Sequence, residues 1–87
     1  MTVYFVAGVK NPQALWAKVE EVAPEEKRYR IADDKFFVNF EGTSASLSEK
    51  LGIKDGSVGT GLILRVGGYN GRLPTSAWEW LSANLEK

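Results

Sequence analysis

The stretch Lys27-Arg-Tyr-Arg-Ile-Ala-Asp-Asp-Lys-Phe-Phe-Val-Asn-Phe-Glu41 reads as two strands joined by a short polar turn. Across Lys27–Ala32, Tyr29 and Ile31 fall on one face, and Arg28 and Arg30 on the other. Asp33-Asp34 supplies the turn, because an aspartate side chain can hydrogen-bond its own backbone where the chain reverses. Lys35–Glu41 returns as the next strand, with Phe36, Val38 and Phe40 on one face and Phe37 and Asn39 on the other. A turn this tight makes the pair antiparallel.

Upstream, Val3–Ala7 is an apolar strand that Gly8 is expected to stop. Asn11-Pro12 then gives an N-cap and a proline at the first helical position. Leu15, Trp16, Val19 and Val22 recur at helical spacing until Pro24 ends the segment. Downstream, Gly42-Thr43-Ser44 leads into a short helix carrying Leu47 and Leu51, with Gly52 placed for a left-handed C-terminal cap and Ile53 for its apolar contact. Lys54–Gly61 is a loop containing the turn signal Asp55-Gly56. Leu62–Val66 is the fourth strand. A glycine-rich loop over 67–75 precedes a last helix over 76–87, which Ser76-Ala-Trp-Glu79 opens in the pattern of a capping box.

The order is βαββαβ over residues 1–66 plus a C-terminal helix, all within one domain of 87 residues. Right-handed crossovers then favour an α+β, ferredoxin-like antiparallel sheet with the first two helices on one face. Strands 1 and 3 become central. Strand 2 becomes an edge, and Lys27, Arg28 and Arg30 give it the charge that edges need.

Two helices cover one face only, yet strand 1 is apolar on both: Val3, Phe5 and Ala7 on one side, Tyr4 and Val6 on the other. Strand 3 adds Phe37 to the uncovered side, and strand 4 adds either Ile63 or Leu62 and Leu64. A half-exposed antiparallel strand normally alternates polar and apolar residues, so something covers the second face. In the last helix Trp78, Leu81 and Leu85 form a stripe that Ala77 and Trp80 widen to an arc of about 160°. Glu79, Ser82 and Glu86 lie opposite. The helix is expected to dock on its own sheet, with Trp78 more deeply engaged than Trp80. Another copy of the chain is the alternative cover.

Composition narrows the chemistry. Eleven basic residues balance eleven acidic ones, so no net charge draws the chain to nucleic acid. Cysteine and histidine are both absent, which excludes disulfides, zinc-finger sets and Cys–His or Ser–His–Asp constellations within the chain. No cofactor or metal site is expected. A cysteine-free chain suits a reducing cytosol, so the expected location is cytoplasmic. The N-terminal residues lack the pattern of a signal peptide, and no run approaches a membrane span.

Phe37-Val38-Asn39-Phe40 resembles the Phe-Val-x-Phe tail of the central strand of the RNA-recognition motif, and Phe5-Val6-Ala7-Gly8-Val9 is similar to that family's partner strand. The resemblance covers residues 1–66. It implies that Phe5 and Phe37 stack on bases and that Arg28, Arg30, Lys35 and Arg65 serve phosphates. Asp33, Asp34 and Lys35 depart from the basic, glycine and aromatic residues of the family's signature. The chain also resembles the small CRISPR-associated endoribonucleases in element order and in the short hairpin of strands 2 and 3. That resemblance implies the fold and β-mediated dimers. Where those nucleases carry a metal-holding aspartate at the end of strand 1, this chain has Ala7 and Gly8, which argues against metal-dependent cleavage.

The remaining clusters have ordinary explanations. Asp33-Asp34 is a turn that lacks the converging oxygens a hard cation needs. Glu20-Glu21 and Glu25-Glu26 are solvated charges beside Pro24. Gly59-Thr60-Gly61 lacks the lysine and the glycine spacing of phosphate loops, and Thr43–Ser46 is a helix cap. Tyr69, Asn70 and Arg72, among Gly67, Gly68 and Gly71, are the loop residues placed to meet a ligand or partner. The expected function is therefore non-enzymatic protein–protein contact, with a homodimer as one form of it, and Tyr69, Arg72 and Trp80 as the interaction candidates. The alternatives are an RNA or single-stranded nucleic-acid module and small-ligand binding at 67–75.

Overall fold

The computed structural model describes residues 2–85. The elements run β1 (Thr2–Lys10), α1 (Pro12–Val22), a 3-10 turn (Glu25–Lys27), β2 (Arg28–Ala32), β3 (Lys35–Phe40), α2 (Ser44–Leu51), β4 (Thr60–Arg65) and α3 (Thr75–Leu85). The fold is α+β, with one four-stranded sheet in the order β2-β3-β1-β4 and every neighbouring pair antiparallel. The strands β1 and β3 are inner and the strands β2 and β4 are the edges.

The hairpin pairs Arg28 with Val38, Tyr29 with Phe37 and Arg30 with Phe36 before an irregularity between Arg30 and Ala32. β1 then lies against β3, with Tyr4 opposite Val38, Phe5 opposite Phe37 and Val6 opposite Phe36. Because side chains alternate along a strand, this register sorts the apolar residues into two cores. Tyr4, Val6, Phe36 and Val38 join Leu15 and Val19 of α1 and Leu47 and Leu51 of α2 on the first face. Val3 and Phe37 join Leu81 on the second face, with Phe5, Tyr29, Ile31, Val66, Leu73, Trp78, Trp80 and Leu85 packed around them. The helix α3 therefore covers its own sheet. Glu86 and Lys87, where the helix was expected to end, lie outside the described residues.

Several local expectations change. β1 continues past Gly8 to Lys10, because Gly8 pairs with Gly61 of β4 and its N–H donates to Asp34 O at 2.7 Å. Asn11 precedes α1 without capping it: it is left-handed at φ 55°, and its Nδ2 donates instead to Val58 O at 3.3 Å. Thr43 does cap α2, its Oγ1 accepting from Ser46 N–H at 3.0 Å, and Gly52 closes that helix at φ 73° as expected. Ser76 is not the N-cap of α3. The helix begins at Thr75, and the Ser76 hydroxyl shares a 2.6 Å hydrogen bond with the Tyr29 hydroxyl on β2. In the glycine-rich loop, Gly71 takes a positive φ of 151°.

A candidate interaction surface on the free edge of the sheet

The two edges of the sheet are built differently. On β2, Arg28 Nη1 donates to Ala23 O at 2.6 Å, and the Arg30 guanidinium lies 5.5 Å from the Trp16 ring centre and 5.8 Å from that of Phe36. Such cation–π contacts hold the side chain down over the apolar face. The 3-10 turn leads directly into this strand, and its ladder shifts register between Arg30 and Ala32 before closing at the Ala32–Lys35 pair. Charge, a bulge and a short length are the usual means of making an edge unreceptive to another strand.

β4 also has a register shift, between Gly8 and Lys10 of its β1 ladder, but it carries far less charge. Its sequence is Thr60-Gly-Leu-Ile-Leu-Arg65, with one charge at its last position. The bond from Val66 N–H to Val3 O, at 2.9 Å, fixes the phase of the β1–β4 ladder. Antiparallel bonding alternates, so Leu62 and Leu64 use their backbone groups on β1 while Gly61, Ile63 and Arg65 present theirs outward. The side chains follow the same alternation. Ile63 is opposite Val6 and joins the first core, whereas Leu62 is opposite Ala7 and Leu64 opposite Phe5, on the face that α3 covers.

The helix leaves them partly uncovered. α3 packs against β1 and β2, so it lies over the β2–β3–β1 side of the face. Leu62 is left 55% exposed and Leu64 50%, with Val9 of β1 77% exposed. Two leucines on one face of a strand whose edge is also free form a surface that a single chain would ordinarily cover. On the opposite face a shallow groove of about 280 Å³ runs between α2 and β4, lined by Ser44, Ala45, Ser48, Ile53 and residues 61–63.

The residues expected from sequence to carry function do not converge. Phe37 is buried and lies flat beneath Trp80, their ring centres 5.9 Å apart and their planes at 11°, and Phe5 packs 5.8 Å from Phe37. The aromatic pair is thus a floor for α3. Arg28 and Arg30 sit on the other face and at the far edge, and Lys35 is exposed beside the turn with its Nζ 3.0 Å from Asp34 Oδ1. Arg65 is exposed on β4 at the opposite side of the sheet. Trp80 packs on its own sheet, with Tyr29 as well as Phe37 against it. Tyr69 is 44% exposed and stacks on Trp78, ring centres 5.6 Å apart, and Arg72 is exposed.

The carboxylates show ordinary turn chemistry. The Lys35 ammonium hydrogen-bonded to Asp34 holds that carboxyl below its usual value, and backbone N–H donation from Ser57 does the same for Asp55. An open depression bordered by Glu49, Lys54 and Asp55 contains the Lys54–Glu49 ion pair at 3.1 Å. Among the described residues no group of three or more histidine, cysteine, aspartate or glutamate side chains is placed to hold a metal ion, and no helix is long and apolar enough to cross a membrane.

The sequence offers Leu62 and Leu64 as one choice for the second face, but its alternation does not single them out as exposed. The signal was there in Leu62-Ile63-Leu64, a strand apolar on both faces at the end of the strand order. No known protein-family model matches the chain, and no curated protein shows significant sequence similarity to it.

Proposed function

We propose that this chain is a ferredoxin-like domain that is not an enzyme and works by protein–protein contact, taking a further strand onto the free edge of β4. The strand order and the placement of α1 and α2 on one face support the fold assignment. The observation that carries the functional reading is the contrast between the edges: β2 is guarded by Arg28 and Arg30, and β4 is uncharged over Thr60–Leu64 with two half-exposed leucines beside it. Strand addition obtains affinity from main-chain hydrogen bonds and selectivity from alternate side chains, and β4 offers both. Leu62 and Leu64 thereby replace Trp80, Tyr69 and Arg72 as the leading contact residues.

Nucleic-acid binding is the weaker reading. Its stacking residues Phe5 and Phe37 lie under α3, and its cations are divided between two edges of a chain with no net charge.

The test is an NMR titration of the isotope-labelled protein with a synthetic peptide copying residues 58–66, and with a scrambled control. Shift changes centred on Gly61–Arg65 with the copy alone are expected. Changes confined to β2 or to residues 69–78, or equal responses to both peptides, would remove β4 from the account.

A further inference from the structure

Resting on that reading, we infer that the strand taken onto β4 is the β4 of a second copy of this chain, joined across a two-fold axis at Ile63 into a continuous eight-stranded sheet. The hydrogen-bonding phase selects the register. Gly61, Ile63 and Arg65 are the residues whose N–H and C=O groups face outward, and an antiparallel partner centred on Ile63 sets Ile63 against Ile63 and Gly61 against Arg65. This register pairs all three outward residues of each copy. A shift of two residues in either direction leaves one of them unpaired on each copy.

Side chains and charge favour the same arrangement. On the α3 face, Leu62 of one copy stands opposite Leu64 of the other, so the two half-exposed leucines of each chain become a cluster of four. An isologous interface requires such self-complementarity, where each patch is covered by the same patch. Arg65 is the one charged residue of the strand. A parallel, in-register partner would set Arg65 beside Arg65. The two-fold register puts it opposite Gly61, whose missing Cβ leaves room, and separates the two guanidinium-bearing positions by four residues, about 14 Å along the strand. That exceeds the screening length of about 8 Å at physiological salt. The equal numbers of acidic and basic residues add no long-range repulsion between copies.

The opposite face is compatible with the same axis. The groove between α2 and β4 is bordered on the helix by Ser44, Ala45 and Ser48, all small and uncharged. Two copies bring these grooves face to face around the paired Ile63 residues. The small side chains let the second α2 approach without burying a charge.

The experiment combines mass with register. Sedimentation equilibrium of the full chain, run up to about 300 μM because a small edge-to-edge interface binds weakly, is expected to show a dimer. Leu64→Glu is expected to give a monomer with an unchanged circular-dichroism spectrum, since residue 64 is half exposed. The chain has no cysteine, so Leu62→Cys and Leu64→Cys variants can report register directly. Mixed together and oxidised, they are expected to cross-link several-fold faster than either alone, because residues 62 and 64 face each other and identical positions lie on the longer diagonal. A wild-type monomer at the highest concentration overturns the second copy as occupant, while titration with an extended peptide of unrelated, alternating apolar sequence, read at the amides of Gly61, Ile63 and Arg65, separately judges β4 as a contact strand for another protein. A dimer that survives Leu64→Glu, or cross-linking without preference for the mixed pair, overturns the interface itself.

Discussion

Replacing Trp80 by alanine removes the side chain that lies on the centre of the second sheet face. Its ring is nearly parallel to that of Phe37 at 5.9 Å and tilted by 42° against Tyr29 at 6.4 Å. Truncating a fully buried tryptophan costs about 3–5 kcal/mol, and packed aromatic pairs add about 0.5–1.5 kcal/mol beyond area. Trp80 is half-buried, so the expected loss is about 2–4 kcal/mol. An 87-residue domain holds on the order of 4–13 kcal/mol in total, so the variant should be visibly weakened. Trp78 stacks on the half-exposed Tyr69, and its alanine variant is expected to lose less, about 1–2 kcal/mol. Urea unfolding followed by far-ultraviolet circular dichroism measures both, with the midpoint shift read at constant slope. A Trp80 loss below about 1 kcal/mol, or a larger loss for Trp78, would refute the reasoning that α3 is seated through Trp80 on Phe37.

Three further outcomes are expected. Leu81→Ala, at a fully buried position of α3, should cost about 2–5 kcal/mol in the same urea assay; a loss under about 1 kcal/mol would mean that the helix is not docked. Gly52→Ala should cost more than Gly71→Ala by thermal unfolding, since both have positive φ but a Cβ at Gly52 would collide with the Val58 side chain while Gly71 faces open space. Equal losses would show that backbone strain alone matters. The folded-state pKa values of Asp34 and Asp55 are lowered, so their contribution is present above the unfolded value of about 3.9 and is lost as the pH falls through the lower folded one. The chain has no histidine, the residue type that ordinarily titrates between pH 5 and 8. Thermal midpoints should therefore stay level from pH 5 to 8 and decline under acid conditions; a midpoint that rises below about pH 4 would contradict that sign.

Much of the fold is readable from side-chain alternation. Tyr4 and Val6 separate from Val3 and Phe5, and Phe36 and Val38 from Phe37, as their spacing requires, and that double-sided pattern already demands a cover such as α3. The relative weight of the two tryptophans was not readable. A helical wheel orders residues around an axis, but it does not say where the helix crosses the sheet, and the crossing puts Trp80 rather than Trp78 above Phe37. Ser76 looked like a cap because its neighbours fit a local motif. Its hydroxyl was instead taken by Tyr29, 47 residues away. The exposure of Leu62 and Leu64 was hidden for a related reason: they face the covered side, and the lateral position of α3 towards β2 and β1 leaves them half-exposed.

The outward backbone groups of β4 give the most direct test. Amide hydrogen exchange should be measured residue by residue on the full chain at about 10 μM and about 500 μM, concentrations chosen to bracket a weak interface. If β4 pairs with a second copy, the amides of Gly61, Ile63 and Arg65 slow at the higher concentration while those of β2 do not change. Exchange at these three amides that is fast and the same at both concentrations would contradict the central claim.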